Sequence, residues 1–308
     1  MRLVALAGGS GAAKLLRGLD ALVEPETLGI IGNTGDDALI WGLHVSPDLD
    51  TVCYALGGLI DEGRGWGLRD ETFRTLGEMA RFGEPTWFNL GDRDLATHLH
   101  RTRLLADGLT LSEATAKIAR DLGVRHRLLP MSDQPVRTRV LGPHGWLSFQ
   151  EYFVREKTQV EVREVDYAGA DKAVPAPGVL GAIAAADAVI VCPSNPVTSI
   201  GPILAVPGLS RALETTKATV LAVSPIIGGQ AVSGPAGRLM ASRGLEVSAV
   251  GVAAAYASWL DALLVDTVDA ALAPGLEALG VRPVVTNTFM RNRESEIALA
   301  RRVLEALR

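Results

Sequence analysis

The sequence predicts an α/β protein, a Rossmann-like, mostly parallel sheet core with an inserted all-helical subdomain. Three observations point there. The chain opens strand, glycine turn, helix, strand, which implies parallel strands joined by a right-handed crossover. Its second half alternates short apolar runs with helical stretches, and the runs end in Pro, Gly, Ser and Asn. Between the two, residues 65–124 are richer in charged side chains than the chain as a whole and show no strand pattern. We therefore expect residues 1–64 and 125–308 to form the α/β core and residues 65–124 to form a helical insertion or lid.

The elements follow in order. Leu3–Ala7 is a short apolar strand, and Gly8-Gly9-Ser10-Gly11 turns it into a helix over Ala12–Leu22 with Leu15, Leu16, Leu19 and Leu22 on one face. Leu28–Ile31 is the second strand. A helix is expected over Thr51–Ile60, and three more over Arg69–Phe82, Asp92–Leu105 and Ser112–Leu122, the last opened in a cap-like way by Ser112 and Glu113. Strands resume at Arg127–Leu129, Val136–Leu141 and Trp146–Tyr152, with an edge strand at Val160–Val165. After a helix at Val179–Ala186, strands are expected at Ala188–Val191, Thr219–Val223, Val247–Val250, Ala262–Val265 and Pro283–Thr286, and a final helix at Glu294–Leu307.

Composition narrows the function. A chain 48% hydrophobic and 21% charged, with net charge −5 and no basic run, fits a globular protein that binds neither nucleic acid nor a membrane surface. Cys53 and Cys192 sit in apolar runs, too few for a disulfide framework or a metal cluster. The first residues are strand-like rather than a signal peptide, and no run has membrane-spanning length, so a cytoplasmic protein is expected.

The chemistry-bearing stretch is Asn33–Thr51. It carries Asp36, Asp37, Asp48 and Asp50 beside turn formers, so the acids are expected on loops at a strand end, where open α/β sheets bind ligands. Hard carboxylate oxygens suit Mg²⁺ shared with a substrate phosphate. Asp37, Asp48 and Asp50 are the candidate metal ligands, and Asp48 and Asp50 the candidate catalytic acids. If Asp50 instead leads directly into a helix at Thr51, it is that helix's N-cap.

Gly8, Gly9, Ser10 and Gly11, followed by Lys14, suit close approach of a phosphate to a helix N-terminus. The loop lacks the Gly-Lys-Ser/Thr of a Walker loop. Lys14 replaces the third glycine of a dinucleotide fingerprint, and Asn33 replaces the ribose-binding acid, so an NAD-dependent oxidoreductase is disfavoured. Two later loops, Pro193–Gly201 with Ser194, Asn195, Thr198 and Ser199, and Ser224–Gly237, offer further small donors for a nucleotide diphosphate. Asn89-Leu90-Gly91-Asp92-Arg93-Asp94 opens a helix in the insertion, where Asp92 complements the helix dipole and Arg93 offers a forked cation. His98 and His100, two apart on a helix, face different ways and make no metal pair.

Taken together, Gly8–Leu16, Asn33–Thr51, Leu90–His98, Leu129–Pro135, Pro193–Pro202 and Ser224–Met240 resemble the 2-phospho-L-lactate transferase family of coenzyme F420 biosynthesis. The resemblance implies attack by the ribityl hydroxyl of the deazaflavin Fo on the distal phosphate of a lactyl-, enolpyruvyl- or glyceryl-diphosphoguanosine. GMP leaves, a phosphodiester forms, and Mg²⁺ is expected. By the resemblance, Asp50 matches the family's deazaflavin- and metal-proximal aspartate, and a homodimer is expected; with the residue reading above, the glycine loop and the Ser194–Ser199 loop are the expected donor site, and Asp50, Asn89, Asp92 and Arg93 the expected acceptor site. Asn89 stands where archaeal-type members carry Lys, and Ser10 where Thr is common. The alternatives are a nucleotide-binding relative of the same fold without turnover, and the oxidoreductase.

Overall fold

The computed structural model describes residues 1–307. The chain begins with β1 (Leu3–Ala7), α1 (Gly9–Asp20) and β2 (Leu28–Gly32), followed by a hairpin of β3 (Ala38–Ile40) and β4 (Leu43–Val45) and then α2 (Pro47–Leu56). Three helices come next, α3 (Arg74–Arg81), α4 (Asp92–Ala106) and α5 (Leu111–Asp121), ahead of β5 (Arg127–Pro130). β6 (Arg137–Gly142), β7 (Gly145–Ser148) and β8 (Glu164–Ala168) form a separate antiparallel sheet in the order β7-β6-β8. The second half runs α6 (Val179–Ala185), β9 (Ala188–Val191), α7 (Gly201–Ala205), α8 (Leu209–Thr215), β10 (Thr219–Val223) and a small hairpin, β11 (Ile226–Ile227) with β12 (Gln230–Ala231). It finishes with α9 (Ala236–Ser242), α10 (Ala249–Tyr256), β13 (Ala262–Val265), α11 (Ala273–Ala278), β14 (Arg282–Val285) and α12 (Arg293–Ala306).

The central sheet has seven strands in the order β14-β13-β10-β9-β1-β2-β5, and every pairing is parallel. From β1 the chain winds outward through β2 to β5, then returns to lay β9 on the other side of β1. The strand order therefore reverses between β1 and β9, the place where a ligand crevice opens outside the strand carboxyl ends.

Both faces of the sheet are covered, which is why its strands read as unbroken apolar runs. Successive residues of β1 go to opposite cores: Val4 and Leu6 to one, Leu3, Ala5 and Ala7 to the other. α1 buries Leu15, Leu16 and Leu19 in the second core against Leu299, Ala300 and Val303 of α12. Gly18 sets that approach, since a Cβ there would stand 2.3 Å from the Glu296 carbonyl oxygen. Truncating Leu16 to Ala in this seam would cost about 2–5 kcal/mol.

Several elements differ from the expectations. α2 starts at Pro47, four residues before Thr51, because Pro at the first helical position is preset for a helix and Ser46 precedes it. Asp48 and Asp50 thus lie in the first turn of a helix, neither on an extended segment nor at its N-cap. The apolar run between the two acid pairs is the β3–β4 hairpin, whose two-residue loop Trp41-Gly42 takes φ of 51° and 77°, as tight hairpins require. α5 is capped by Thr110 rather than Ser112: the Thr110 side chain accepts from Glu113 N–H while Glu113 reaches back. Ser112 instead donates both N–H and Oγ–H to Asp133, each at 2.7 Å. The Val247–Val250 strand is absent, and Ser248 caps α10 by accepting from Gly251 N–H at 3.1 Å. The edge strand falls at Glu164–Ala168, since Val165 pairs opposite Val140 and enters the core while Val160 packs only on its margin.

Candidate active site

A cleft of about 990 Å³ lies over the carboxyl ends of β1, β2, β9, β10 and β14, straddling the β1/β9 reversal. Its floor is Gly8, between β1 and α1, with the first turn of α1, Gly9–Gly11, and Lys14 extends that wall. The tight packing explains the glycines. A Cβ on Gly8 would meet Asp48 Oδ2 and Ser199 Cβ, both at 2.7 Å, and one on Gly11 would meet the Pro193 carbonyl oxygen at 2.3 Å. Gly9 has a left-handed φ of 75° and donates its N–H to Asp48 Oδ1 at 2.8 Å.

Asn33, at the end of β2, aims the acidic wall. Its Nδ2 donates to Asp48 Oδ2 at 2.8 Å and to the Thr198 carbonyl at 3.2 Å, while its Oδ1 accepts from Gly35 N–H. The residue that replaces a ribose-binding acid therefore ties the β2 loop, α2 and the β9 loop together. Asp48 and Asp36 line the cleft and are almost fully buried. Burial pushes the Asp48 carboxyl up to about 6, against the hydrogen bonds from Asn33 and Gly9 that favour its charged form. Burial first, then the charge of Asp48, raises Asp36 well above the usual carboxylate range, and Asp36 Oδ1 is buried without a partner.

The other two acids of the cluster are committed elsewhere. Asp37 does not line the cleft; its Oδ2 lies 2.9 Å from His44 Nε2 and accepts from Ser46 Oγ at 2.8 Å. Asp50 lines the cleft, but both its oxygens are forked by the buried guanidinium of Arg101 on α4, Nη1 to Oδ2 at 3.0 Å and Nη2 to Oδ1. Among the described residues no group of three or more His, Cys, Asp or Glu is arranged around a metal. The expected metal set of Asp37, Asp48 and Asp50 is thus not assembled. The pair with free acceptor capacity toward the cleft is Asp36 and Asp48, and two carboxylates plus substrate phosphate oxygens suit Mg²⁺.

The β9 side carries no charge. Ser194, Asn195, Thr198 and Ser199 all line the cleft. Ser194 Oγ accepts from Gly8 N–H at 3.3 Å, and Asn195 Oδ1 accepts from Val197 and Thr198 N–H, so Asn195 shapes its loop. Beyond this neutral wall, Ser224, Ser233 and the charged Arg291 line the cleft at the β10 and β14 ends.

The insertion supplies the remaining side. Asn89, Asp94 and His98 line the cleft with the aromatic rings of Trp66 and Phe88, and Phe149 and Phe153 face them as a stacked pair with centroids 5.5 Å apart. Asp92 and Arg93 do not line it. The Asp92 carboxylate accepts from Thr72 Oγ1, Thr75 N–H and Arg74 N–H, capping α3, which holds its proton affinity well below the usual range. Arg93 donates to the Arg69 carbonyl. Their turn-opening position misled, because the partners lie about twenty residues upstream. Burial pushes both Cys53 and Cys192 up to about 12, so neither offers a thiolate nucleophile.

With this geometry in hand, the comparisons are direct. The family model for 2-phospho-L-lactate transferase CofD matches residues 3–300. A phosphoenolpyruvate transferase of Streptomyces griseus is 46% identical over 311 residues, covering 99% of this chain and 98% of that protein. A 2-phospho-L-lactate transferase of Methanococcoides burtonii is 41% identical over 302 residues, covering 98% of each. A Bacillus halodurans protein of known structure superimposes with a TM-score of 0.65 at 18% identity, covering 98% of this chain and 99% of that one, which shows the shared fold.

Proposed function

Because this chain belongs to the CofD family of 2-phospho-L-lactate transferases, we propose that it transfers a phospholactyl, phosphoenolpyruvyl or phosphoglyceryl group from its diphosphoguanosine donor to the ribityl hydroxyl of the deazaflavin Fo, a step of coenzyme F420 biosynthesis. The bond from the ribityl oxygen to the distal phosphorus forms, the bond to the bridging oxygen breaks, and GMP leaves. The hydroxyl proton passes to the cleft carboxylates. Of the three acyl groups we place enolpyruvyl first, since the phosphoenolpyruvate transferases are 45–48% identical to this chain and the 2-phospho-L-lactate transferases 40–43%. We also propose a homodimer, which sedimentation would test.

The observation that carries the reading is the division of one cleft at the strand reversal into a carboxylate wall and a neutral hydroxyl wall joined by a glycine floor. The first-turn N–H groups of α1 and the Lys14 ammonium hold the diphosphate. Ser194, Thr198 and Ser199 donate to it from the opposite side. Asp36 and Asp48 are the residues that would hold Mg²⁺, which when bound neutralises diphosphate charge as the bridging oxygen takes it up. Trp66, Phe88 and Phe149 offer ring faces for the deazaflavin. Asp50 and Asn89 meet the acceptor's polar end. Such positioning and charge neutralisation suffice for phosphoryl transfer, and it needs no protein nucleophile.

Calorimetric titration with GDP, Fo and NADH tests the reading. Binding of GDP and Fo without NADH is expected; binding of NADH alone would move the protein to the oxidoreductases.

A further inference from the structure

We infer that Arg101 and His98, on the inserted helix α4, are positioning residues that fix the Asp50 carboxylate at the acceptor end of the cleft; this rests on the phosphoryl-transfer reading above. Arg101 does not line the cleft and is 1% exposed, the largest fully buried side chain among the described residues. Its guanidinium grips both oxygens of Asp50 and spends one further N–H on the His44 carbonyl at 3.3 Å. His98, equally buried, lies between two carboxylates of the cleft wall, Nδ1 at 3.6 Å from Asp50 Oδ2 and Nε2 at 3.2 Å from Asp94 Oδ2. Tyr54 closes the array by donating its O–H to the other oxygen of Asp94 at 2.5 Å.

Burial of such an array needs a reason other than stability. Replacing a buried ion pair by apolar residues of similar volume is often neutral or stabilising, so the pair is weak evidence for a folding role. A carboxylate in the first turn of α2 is already favoured by the helix N-terminus and does not require a guanidinium. What the fork adds is direction. It occupies one lobe of each Asp50 oxygen and leaves the remaining lone pairs facing the cleft, so the carboxylate cannot rotate away from an acceptor hydroxyl. His98 bears on Oδ2 from the side and resists tilting of the carboxylate plane. α4 thereby couples the insertion to the α/β core at the one acid placed to meet the acceptor.

A double-mutant cycle tests this. Arg101→Lys keeps the charge and loses the fork. Turnover with Fo, Mg²⁺ and donor, GDP affinity by calorimetry and the thermal midpoint are measured for Arg101→Lys, Asp50→Asn and the double variant. We expect Arg101→Lys to lose about tenfold or more in kcat with GDP affinity within about twofold of wild type. In the Asp50→Asn background the same change should have less than about a twofold further effect, because its target is gone. A merely structural role moves kcat and GDP binding together and multiplies through both backgrounds, which would overturn the inference, as would wild-type kcat in Arg101→Lys. Should Arg101→Lys fail to fold, His98→Asn enters the same cycle with the fork intact and a several-fold kcat loss expected; a loss that multiplies through overturns the inference equally. Wild-type protein inactive with every donor overturns the transfer reading and this inference with it, whereas active wild type with an unaffected Arg101→Lys overturns this inference alone.

Discussion

On the β2 side of the strand reversal, the loop after the strand carries Asp36 and Asp37 and runs through a hairpin into α2 with Asp48 and Asp50. On the β9 side, the loop after the strand carries Ser194, Asn195, Thr198 and Ser199, and residues 192–206 hold no charged side chain at all. Both regions lead from a buried parallel strand into a helix, the β2 side by way of the hairpin, and they touch across Gly8, which has no room for a side chain between Asp48 and Ser199. The same backbone plan thus serves two chemistries. Carboxylates whose burial raises their proton affinity suit a cation and an alcohol; uncharged hydroxyls and N–H groups suit an anionic diphosphate without fixing a counter-charge to it.

The largest effect expected from this division is on turnover. Asp48→Asn should lower kcat by about two or more orders of magnitude, the scale of a group acting directly at the reacting atoms, while metal-free GDP binding stays within about threefold. A collapse of GDP binding in that variant would break the division, since the acidic wall would then be holding the nucleotide.

Lys14→Ala acts on the floor between the walls. GDP binding should weaken by about 1.5–3 kcal/mol, as for a hydrogen bond to a charged group, with kcat at saturating donor retained. Unchanged calorimetric affinity removes Lys14 from the diphosphate site.

The acidic wall should also be visible in stability. A native Asp48 carboxyl that titrates near 6 binds its proton at higher pH than the unfolded chain, whose value is near 3.8. Lowering pH through 6 therefore favours the native state, and the gain is complete only near the unfolded value. In EDTA, Asp48 should add stability on the order of 1 kcal/mol between pH 7.5 and 5. Denaturant titration of wild type and Asp48→Asn isolates it: the variant should lose most of that gain, and equal slopes would contradict a buried, costly carboxylate.

The smallest effect concerns the insertion. Asn89→Ala should raise KM for Fo about three- to tenfold, the loss of one neutral hydrogen bond, and leave KM for the donor alone. A change confined to the donor constant would assign Asn89 to the other wall.

The two regions also differ in how far they are legible in the sequence. Strands buried on both faces are continuous apolar runs, so Thr219–Val223 and Ala262–Val265 read from sequence at the residues where β10 and β13 lie. The cleft-lining polar residues of the β9 loop are equally legible, because they fall within six positions of one another. The acidic wall is not. Asp36 and Asp37 are neighbours, and only His44 and Ser46, brought back by the hairpin, decide that Asp37 turns away. Ser46-Pro47 reads as a cap-type residue followed by a first-turn proline, the signal that moves Asp48 and Asp50 from a loop into a helix. Arg101 gave no local signal, since it meets Asp50 across 51 positions of chain.

The most direct measurement is mass spectrometry of the products formed by purified protein with Fo, Mg²⁺ and, in turn, the enolpyruvyl-, lactyl- and glyceryl-diphosphoguanosine donors. The account predicts GMP together with a phosphodiester joining Fo to the three-carbon acid of the donor, formed fastest from the enolpyruvyl donor. Binding of Fo and GDP with all three donors left intact would contradict it and make the cleft a binding site without turnover.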